Sequence, residues 1–230
     1  SFEKESFLIN RDAPKAFAEA LRNYDGQLIH ISTDYVFDGD NNQPYLTEYK
    51  PNPLSIYGKS KAEGESEILK ILGKTNQVII LRTSWLYSYF RNNFVLTMLR
   101  LHKEKEEIKV VSDQYGSPTS CTSLSKTCWE IINFICKNKD ISNGIKPLLH
   151  YSNLGIASWY DLSVAVGEIA LELGLLKKKA KVIPIYSKDY ITKVKRPKFS
   201  VLDTSLIYSK INLPLLNWRE SLYLELKNLI

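Results

Sequence analysis

Two short apolar runs, "QLIHIS" ending at Ser32 and "QVIILR" from Gln77 to Arg82, enclose a stretch with helical character from about Pro53 to Leu72. Strand, helix, strand in that order constrains the chain more than any bulk property, because two strands joined through a helix lie parallel in one sheet. The same alternation extends outward. An amphipathic stretch ends near Tyr24 and is broken at Gly26, ahead of the first run. After the second come a helix in "NNFVLTMLRLHKE", a strand in "IKVVS", and a helix in "SLSKTCWEIINFICK" with apolar positions at Leu124, Cys128, Ile131, Ile132 and Ile135. Beyond Leu148 the rhythm loosens: "LLHYS" and "KVIPIYS" flank a helix around Tyr160 to Leu173, and a last helix starts near Trp218. The pattern predicts an α/β protein with a parallel sheet, followed by a smaller second lobe.

Composition narrows the function classes. With 230 residues and 44% hydrophobic content, the chain can bury a substantial core. Its net charge of +6 suits an anionic ligand but falls far short of a nucleic-acid-binding arm. No apolar run approaches the ~20 residues of a membrane helix, and "SFEKESF" lacks the layout of a signal peptide. A soluble, cytoplasmic protein without membrane or nucleic-acid partners is the expectation. Cys121, Cys128 and Cys136 match no metal or redox spacing and read as reduced, buried thiols. His30, His102 and His150 are too scattered for a metal site. The cluster "KKKAK" at Lys177 to Lys181 reads as a solvated helix end.

In parallel sheets of this kind, ligands sit beyond the carboxyl ends of the strands. Here that position is "STDYVFDG", with the hydroxyls of Ser32 and Thr33 at a strand end. The next helix carries "IYGKSKAEGE", in which Tyr57 and Lys61 are four residues apart and share one face. An ammonium beside a phenol favours the phenolate, so Lys61 is expected to lower the pKa of Tyr57 from its usual ~10. Such a phenol can protonate a carbonyl oxygen as hydride arrives at the carbon, with Thr33 adding a hydrogen bond and Lys61 placed to hold the ribose of a nicotinamide cofactor. By itself the Tyr-Lys pair fits a helix surface with a packed aromatic just as well.

The surrounding blocks decide between the two. "HISTDYVFDG", "YGKSKAEGE", "LRTSWLY", "NNFVLTMLRL", "VVSDQYGSPTS" and "KRPKFSVLDTS", in this order, resemble the dTDP-4-dehydrorhamnose reductases of the extended short-chain dehydrogenase/reductase superfamily, over nearly the whole chain. The resemblance implies the C-terminal part of a doubly wound parallel (Rossmann-like) sheet: a partial NAD(P)-binding domain over 1–147 and a mainly substrate-binding lobe over 148–230, interleaved near the boundary. It implies Thr33, Tyr57 and Lys61 as catalytic residues. Thr33, Asp34, Tyr35, Trp85, Asn93, Gln114 and Arg196 are implied as contacts to a dTDP-sugar, and Ile31, Tyr57 and Lys61 as contacts to NADPH or NADH. Asn10 falls where relatives carry an asparagine near the catalytic groups.

One departure stands out. The family opens with a glycine-rich G-x-x-G-x-x-G turn that holds the pyrophosphate, and none of the ten glycines here forms that spacing. The opening "SFEKESFLINRDAPKAFAEAL" resembles the helix just before the strand that carries Ser-Thr, so on the order of 60 to 80 residues of βαβ chain would precede it in relatives. The expectations for these residues are weak NAD(P)H binding, no turnover alone, and association of copies through an exposed sheet edge. Two other readings follow from the same fold: a non-catalytic binding protein resembling the regulatory subunit of methionine adenosyltransferase, and a sugar-nucleotide epimerase or dehydratase using the same Tyr and Lys.

Overall fold

The computed structural model describes residues 2–137, 147–190 and 195–230. In chain order it begins with α1 (Phe2–Phe7), a π-helical turn (Leu8–Asp12), α2 (Ala13–Leu21), β1 (Leu28–Thr33) and a 3-10 turn (Asp34–Val36). α3 (Ile56–Leu72), β2 (Val78–Thr83), β3 (Leu86–Tyr87), α4 (Phe94–Glu104), β4 (Glu107–Val111), β5 (Tyr115–Gly116) and β6 (Thr119–Ser120) come next. The remainder is α5 (Cys121–Lys137), β7 (Leu148–His150), β8 (Ala157–Ser158), α6 (Trp159–Glu172), β9 (Lys181–Ile185), a second 3-10 turn (Ser187–Asp189), α7 (Ser205–Lys210) and α8 (Trp218–Lys227). Among the described residues no helix is long and apolar enough to cross a membrane.

The chain divides into two compact units, each assembled from three segments. The first comprises Ser1–Thr83, Thr127–Tyr151 and Val194–Leu213; the second comprises Ser84–Lys126, Ser152–Lys193 and Pro214–Ile230. A single boundary near 147 therefore does not describe the partition. The reason is strand pairing: β4 lies against β9, so residues 84–126 join the later part of the chain.

In the first unit, β1, β2 and β7 form a parallel sheet in the order β1-β2-β7, with Leu28 opposite Val78, Thr33 opposite Thr83 and Ile80 opposite Leu148. β2 is central and every one of its residues is buried, which is why "VIILRT" reads as a continuous run and not as an alternation. Ala18 of α2 and Ile68 and Leu72 of α3 pack on Val78 and Ile80. Helix α3 starts at Ile56, later than the sequence suggests, because the Ser55 hydroxyl caps it by accepting from the Gly58 amide at 3.1 Å. Two glycines let this helix sit close to its neighbours. A Cβ on Gly58 would lie 2.1 Å from the Tyr35 carbonyl oxygen, and one on Gly64 would lie 2.0 Å from that of Asn10.

The second unit is built around β4 and β9, paired in parallel from Glu107–Lys181 to Val111–Ile185. α4, α6 and α8 supply its core through Val95, Met98, Leu99, Leu162, Val166, Leu222 and Leu226. α6 and α8 each open on a capping box, Ser158 with Asp161 and Asn217 with Glu220, which satisfies backbone donors that a helix start leaves unpaired. The lysine cluster follows α6 as a connection into β9, and Lys178, Lys179 and Lys181 pair with Glu106, Glu168 and Glu107. The three cysteines are free thiols as expected, but they are not buried: Cys121 and Cys128 are partly exposed and Cys136 is exposed.

Candidate active site

Thr33 ends β1, and its hydroxyl is held by the turn that follows. Thr33 Oγ1 accepts from the Tyr35 amide at 3.2 Å and donates to Asp34 Oδ1 at 3.1 Å. Asp34 is 1% exposed, and its Oδ2 has no hydrogen-bond partner. Desolvation lifts this carboxyl from the usual aspartate range to about 6, against the opposing pull of the Ser200 and Thr33 hydroxyls.

On α3, Tyr57, Lys61 and Glu65 form a row at successive i, i+4 positions. The Tyr57 ring is 47% exposed and meets the Tyr35 ring edge-on, with centroids 5.9 Å apart. Its phenol is raised above the ordinary tyrosine range: desolvation dominates, the hydrogen-bonding influence of Thr33 lowers it, and the Asp34 charge raises it. The expected lowering by Lys61 is absent. The reason is where the amine points: Lys61 Nζ donates to the Ile31 carbonyl at 2.6 Å and lies 3.3 Å from His30 Nε2. Desolvation lowers the Lys61 pKa, and the Glu65 charge raises it. His30 is pulled down to about 4, by desolvation and then by the Lys61 charge, so it is the neutral imidazole that faces the ammonium.

The π-helical turn brings Asn10 to the same helix. Asn10 Nδ2 donates to Ser60 Oγ at 3.1 Å, and Ser60 Oγ donates to the Tyr57 carbonyl at 2.9 Å. Arg196 is exposed and close enough to Tyr35 for its charge to lower the phenol, whose pKa is nonetheless raised by desolvation. Ile31, Thr33, Asp34, Tyr35, Tyr57, Lys61 and Arg196 thus all belong to the first unit.

Trp85, Asn93 and Gln114 belong to the second unit. Trp85 has φ of 48°, a left-handed backbone that bulky residues rarely adopt, and its indole stacks on Trp159 at 3.6 Å and 3°. Gly116 lies beneath it, where a Cβ would come within 2.5 Å of the indole. Gln114 is 8% exposed. Asn93 caps α4: its Oδ1 accepts from the Leu96 amide at 3.1 Å, while Nδ2 donates to the Ser88 and Arg91 carbonyls. Its side chain is therefore engaged with backbone.

Sequence reasoning misses the group directly behind the α3 row. Glu65 and Arg82 are each 2% exposed and form a forked ion pair, with Arg82 Nη2 to Glu65 Oε2 at 2.6 Å and Nε to Oε1 at 2.9 Å. Ser32 Oγ donates to the same Oε1 at 2.5 Å. His150 Nε2 lies 3.4 Å from Arg82 Nη1, and its other nitrogen lies 3.1 Å from the Tyr45 carbonyl. Burial and the Arg82 charge bring His150 down to about 3. The available signal was an arginine closing a fully apolar strand.

The site has groups suited to the nicotinamide side of a dinucleotide. Lys61 has three N–H bonds, and the two acceptors on β1 leave one for a ribose hydroxyl, with the Tyr57 phenol one helical turn away. A parallel sheet, a hydroxyl at a strand end and a Tyr-x-x-x-Lys helix beside it place the protein among the Rossmann-like short-chain dehydrogenase/reductases. Within them, the chain belongs to the dTDP-4-dehydrorhamnose reductase family: residues 1–230 match the model described as RmlD substrate binding domain. A dTDP-4-dehydrorhamnose reductase of Aggregatibacter actinomycetemcomitans is 36% identical over 217 residues, spanning 94% of this chain and 72% of that protein. The crystal structure of a dTDP-4-dehydrorhamnose reductase from Clostridium acetobutylicum superposes with a TM-score of 0.84 at 33% identity, covering 99% of this chain and 75% of that one. The Bacillus anthracis reductase in complex with NADP gives a TM-score of 0.81 at 34% identity, covering 97% and 74%.

Proposed function

We propose that this protein acts in the NAD(P)H-dependent reduction of the 4-keto group of dTDP-6-deoxy-L-lyxo-4-hexulose to dTDP-L-rhamnose, and that its own residues provide the proton donor and the sugar-nucleotide contacts. The observation that carries the reading is the convergence of the Thr33 hydroxyl, the Tyr57 phenol and the Lys61 amine on the carboxyl end of β1. The reductases at 33–36% identity over more than nine-tenths of the chain support the substrate class.

A bound nicotinamide cofactor supplies the hydride. Tyr57, protonated at neutral pH as a phenol is, gives its proton to the carbonyl oxygen as negative charge develops there. Thr33, whose one O–H rests on Asp34 Oδ1, turns it to that oxygen when the ketone binds, while Tyr35 flanks the ring and Lys61 holds the ribose. Asp34, neutral for part of the time near pH 6, serves as an acceptor that orients the Thr33 hydroxyl. For the sugar nucleotide the proposed contacts are Trp85, whose indole is fixed by its stack on Trp159, Gln114 and Arg196. Asn93 is held in place by its cap on α4 and is a proposed contact as well.

Calorimetry with dTDP-L-rhamnose and with UDP-glucose, alongside NADPH oxidation with the dTDP-keto-sugar, tests the reading. Saturable binding of the dTDP-sugar in preference to UDP-glucose is expected. Equal affinity for both, or none for either, overturns it.

A further inference from the structure

Glu65 lies on the same face of α3 as Tyr57 and Lys61, two turns beyond the first and one beyond the second, yet it is fully buried and never reaches the open end of the site. Its carboxylate accepts from three donor groups on two strands: Ser32 Oγ from β1, and the Nε and Nη2 groups of Arg82 from β2. Ser32 immediately precedes Thr33, and the carbonyl of Ile31, which holds Lys61, precedes Ser32. One row of α3 side chains is thus fastened to consecutive residues of β1, Lys61 to His30 and Ile31 and Glu65 to Ser32.

We propose that Glu65 is the positioning residue of this site: clamped to Ser32 and Arg82, it sets the height of α3 along the sheet, and with it the placement of Tyr57 and Lys61 beside Thr33. The inference rests on the reductase reading for what Tyr57 and Lys61 do, but not for where they are held. A helix slides past a strand in steps of about 1.5 Å per residue, and a displacement of about 1 Å at reacting groups can cost about 100-fold in rate. An apolar contact would resist such sliding poorly, because it has no preferred direction. A forked Arg–carboxylate pair with a third donor does. The pairing has an electrostatic consequence too. The Glu65 charge opposes the desolvation that would strip Lys61 of its proton. The other titratable group against Lys61 is the neutral His30 of β1. Where α3 meets α2 and the π-helical turn, Arg11 pairs with Glu63 and Lys15 with Glu67. Asp34 and Tyr57 stand at the other end of the row, and Arg82 is paired with Glu65 itself.

A structural ion pair with no positioning role predicts a different set of results, and two variants separate the possibilities. Glu65→Gln keeps the shape and removes the charge. The double variant Glu65→Met/Arg82→Met replaces the pair by apolar groups, which commonly preserves or raises stability. Lys61 is read by acetic anhydride labelling against pH with mass spectrometry, thermal melting reports the fold, and NADPH oxidation with the dTDP-keto-sugar reports turnover. Expected are a lower labelling midpoint for Lys61 in both variants, a melting temperature near the parent's in the double variant, and kcat down by about 100-fold with KM little changed. Recovery of the Lys61 midpoint together with the melting temperature in the double variant overturns the proposal. The labelling result decides it even if the parent shows no turnover, which would count against the reductase reading alone.

Discussion

The interiors of the two units both combine apolar packing with buried polar groups, Glu225 and His102 in the second among them, but the first is centred on a forked ion pair. Behind α3 in the first unit lie a carboxylate, a guanidinium and an imidazole, all nearly inaccessible to water: Glu65, Arg82 and His150, with Asp34 buried at the end of β1. The second unit packs α4, α6 and α8 on β4 and β9 through aliphatic side chains, with Trp85 and Trp159 stacked at its margin. Apolar packing supplies stability but leaves groups free to repack, whereas paired buried charges contribute little net stability and fix geometry.

Removing one partner of the charged interior should produce the largest effect. Arg82→Ala leaves Glu65 buried without its cation and is expected to cost about 3–5 kcal/mol, seen as a lower urea midpoint. A loss below about 1 kcal/mol would mean that water reaches Glu65 and that the two interiors differ less than described. In the apolar interior, Leu222→Ala creates a cavity at a fully buried position and should cost about 3 kcal/mol without changing the labelling midpoint of Lys61. Trp85→Ala sharpens the contrast from the other side. It should raise KM for the dTDP-sugar by about tenfold or more while leaving NADPH affinity unchanged, since it removes uniform substrate binding. Equal weakening of both ligands would make Trp85 a packing residue.

A pH dependence of stability is also expected. Asp34 ionises near 4 when unfolded and at about 6 when folded, so between those values the native state binds more protons than the unfolded one. Stability from this group is therefore present at low pH and lost as pH rises from about 4 to about 6. Asp34→Asn should flatten that fall in urea midpoints measured from pH 4 to 7. An unchanged slope would assign the pH dependence to other groups.

The outlines of this architecture are written in the sequence unevenly. β1 and β2 are legible as short bounded apolar runs and the helix between them by its length and period, while α6 and α8 read as helices around Tyr160 and near Trp218. The two-residue strands β3, β5, β6 and β8 are not, since two residues carry no period at all. The Tyr57–Lys61 spacing was readable as a pair, but the direction of the Tyr57 pKa was not, because helical geometry does not reveal that Lys61 turns to the Ile31 carbonyl. Glu65 looked like one charge among several on a helix, and only the fold brings Arg82 and Ser32 to it. Interleaving near residue 147 was expected, but which segments interleave was not, since that depends on β4 finding β9 some seventy residues later.

Tyr57→Phe tests the central claim most directly. The ring keeps its edge-on contact with Tyr35 and loses only the hydroxyl, so the melting temperature should stay at the parent value. Turnover of the dTDP-keto-sugar with NADPH should fall by at least about 100-fold, as for a lost general acid, with KM little altered. Turnover within a few-fold of the parent would contradict the assignment of Tyr57 as the proton donor.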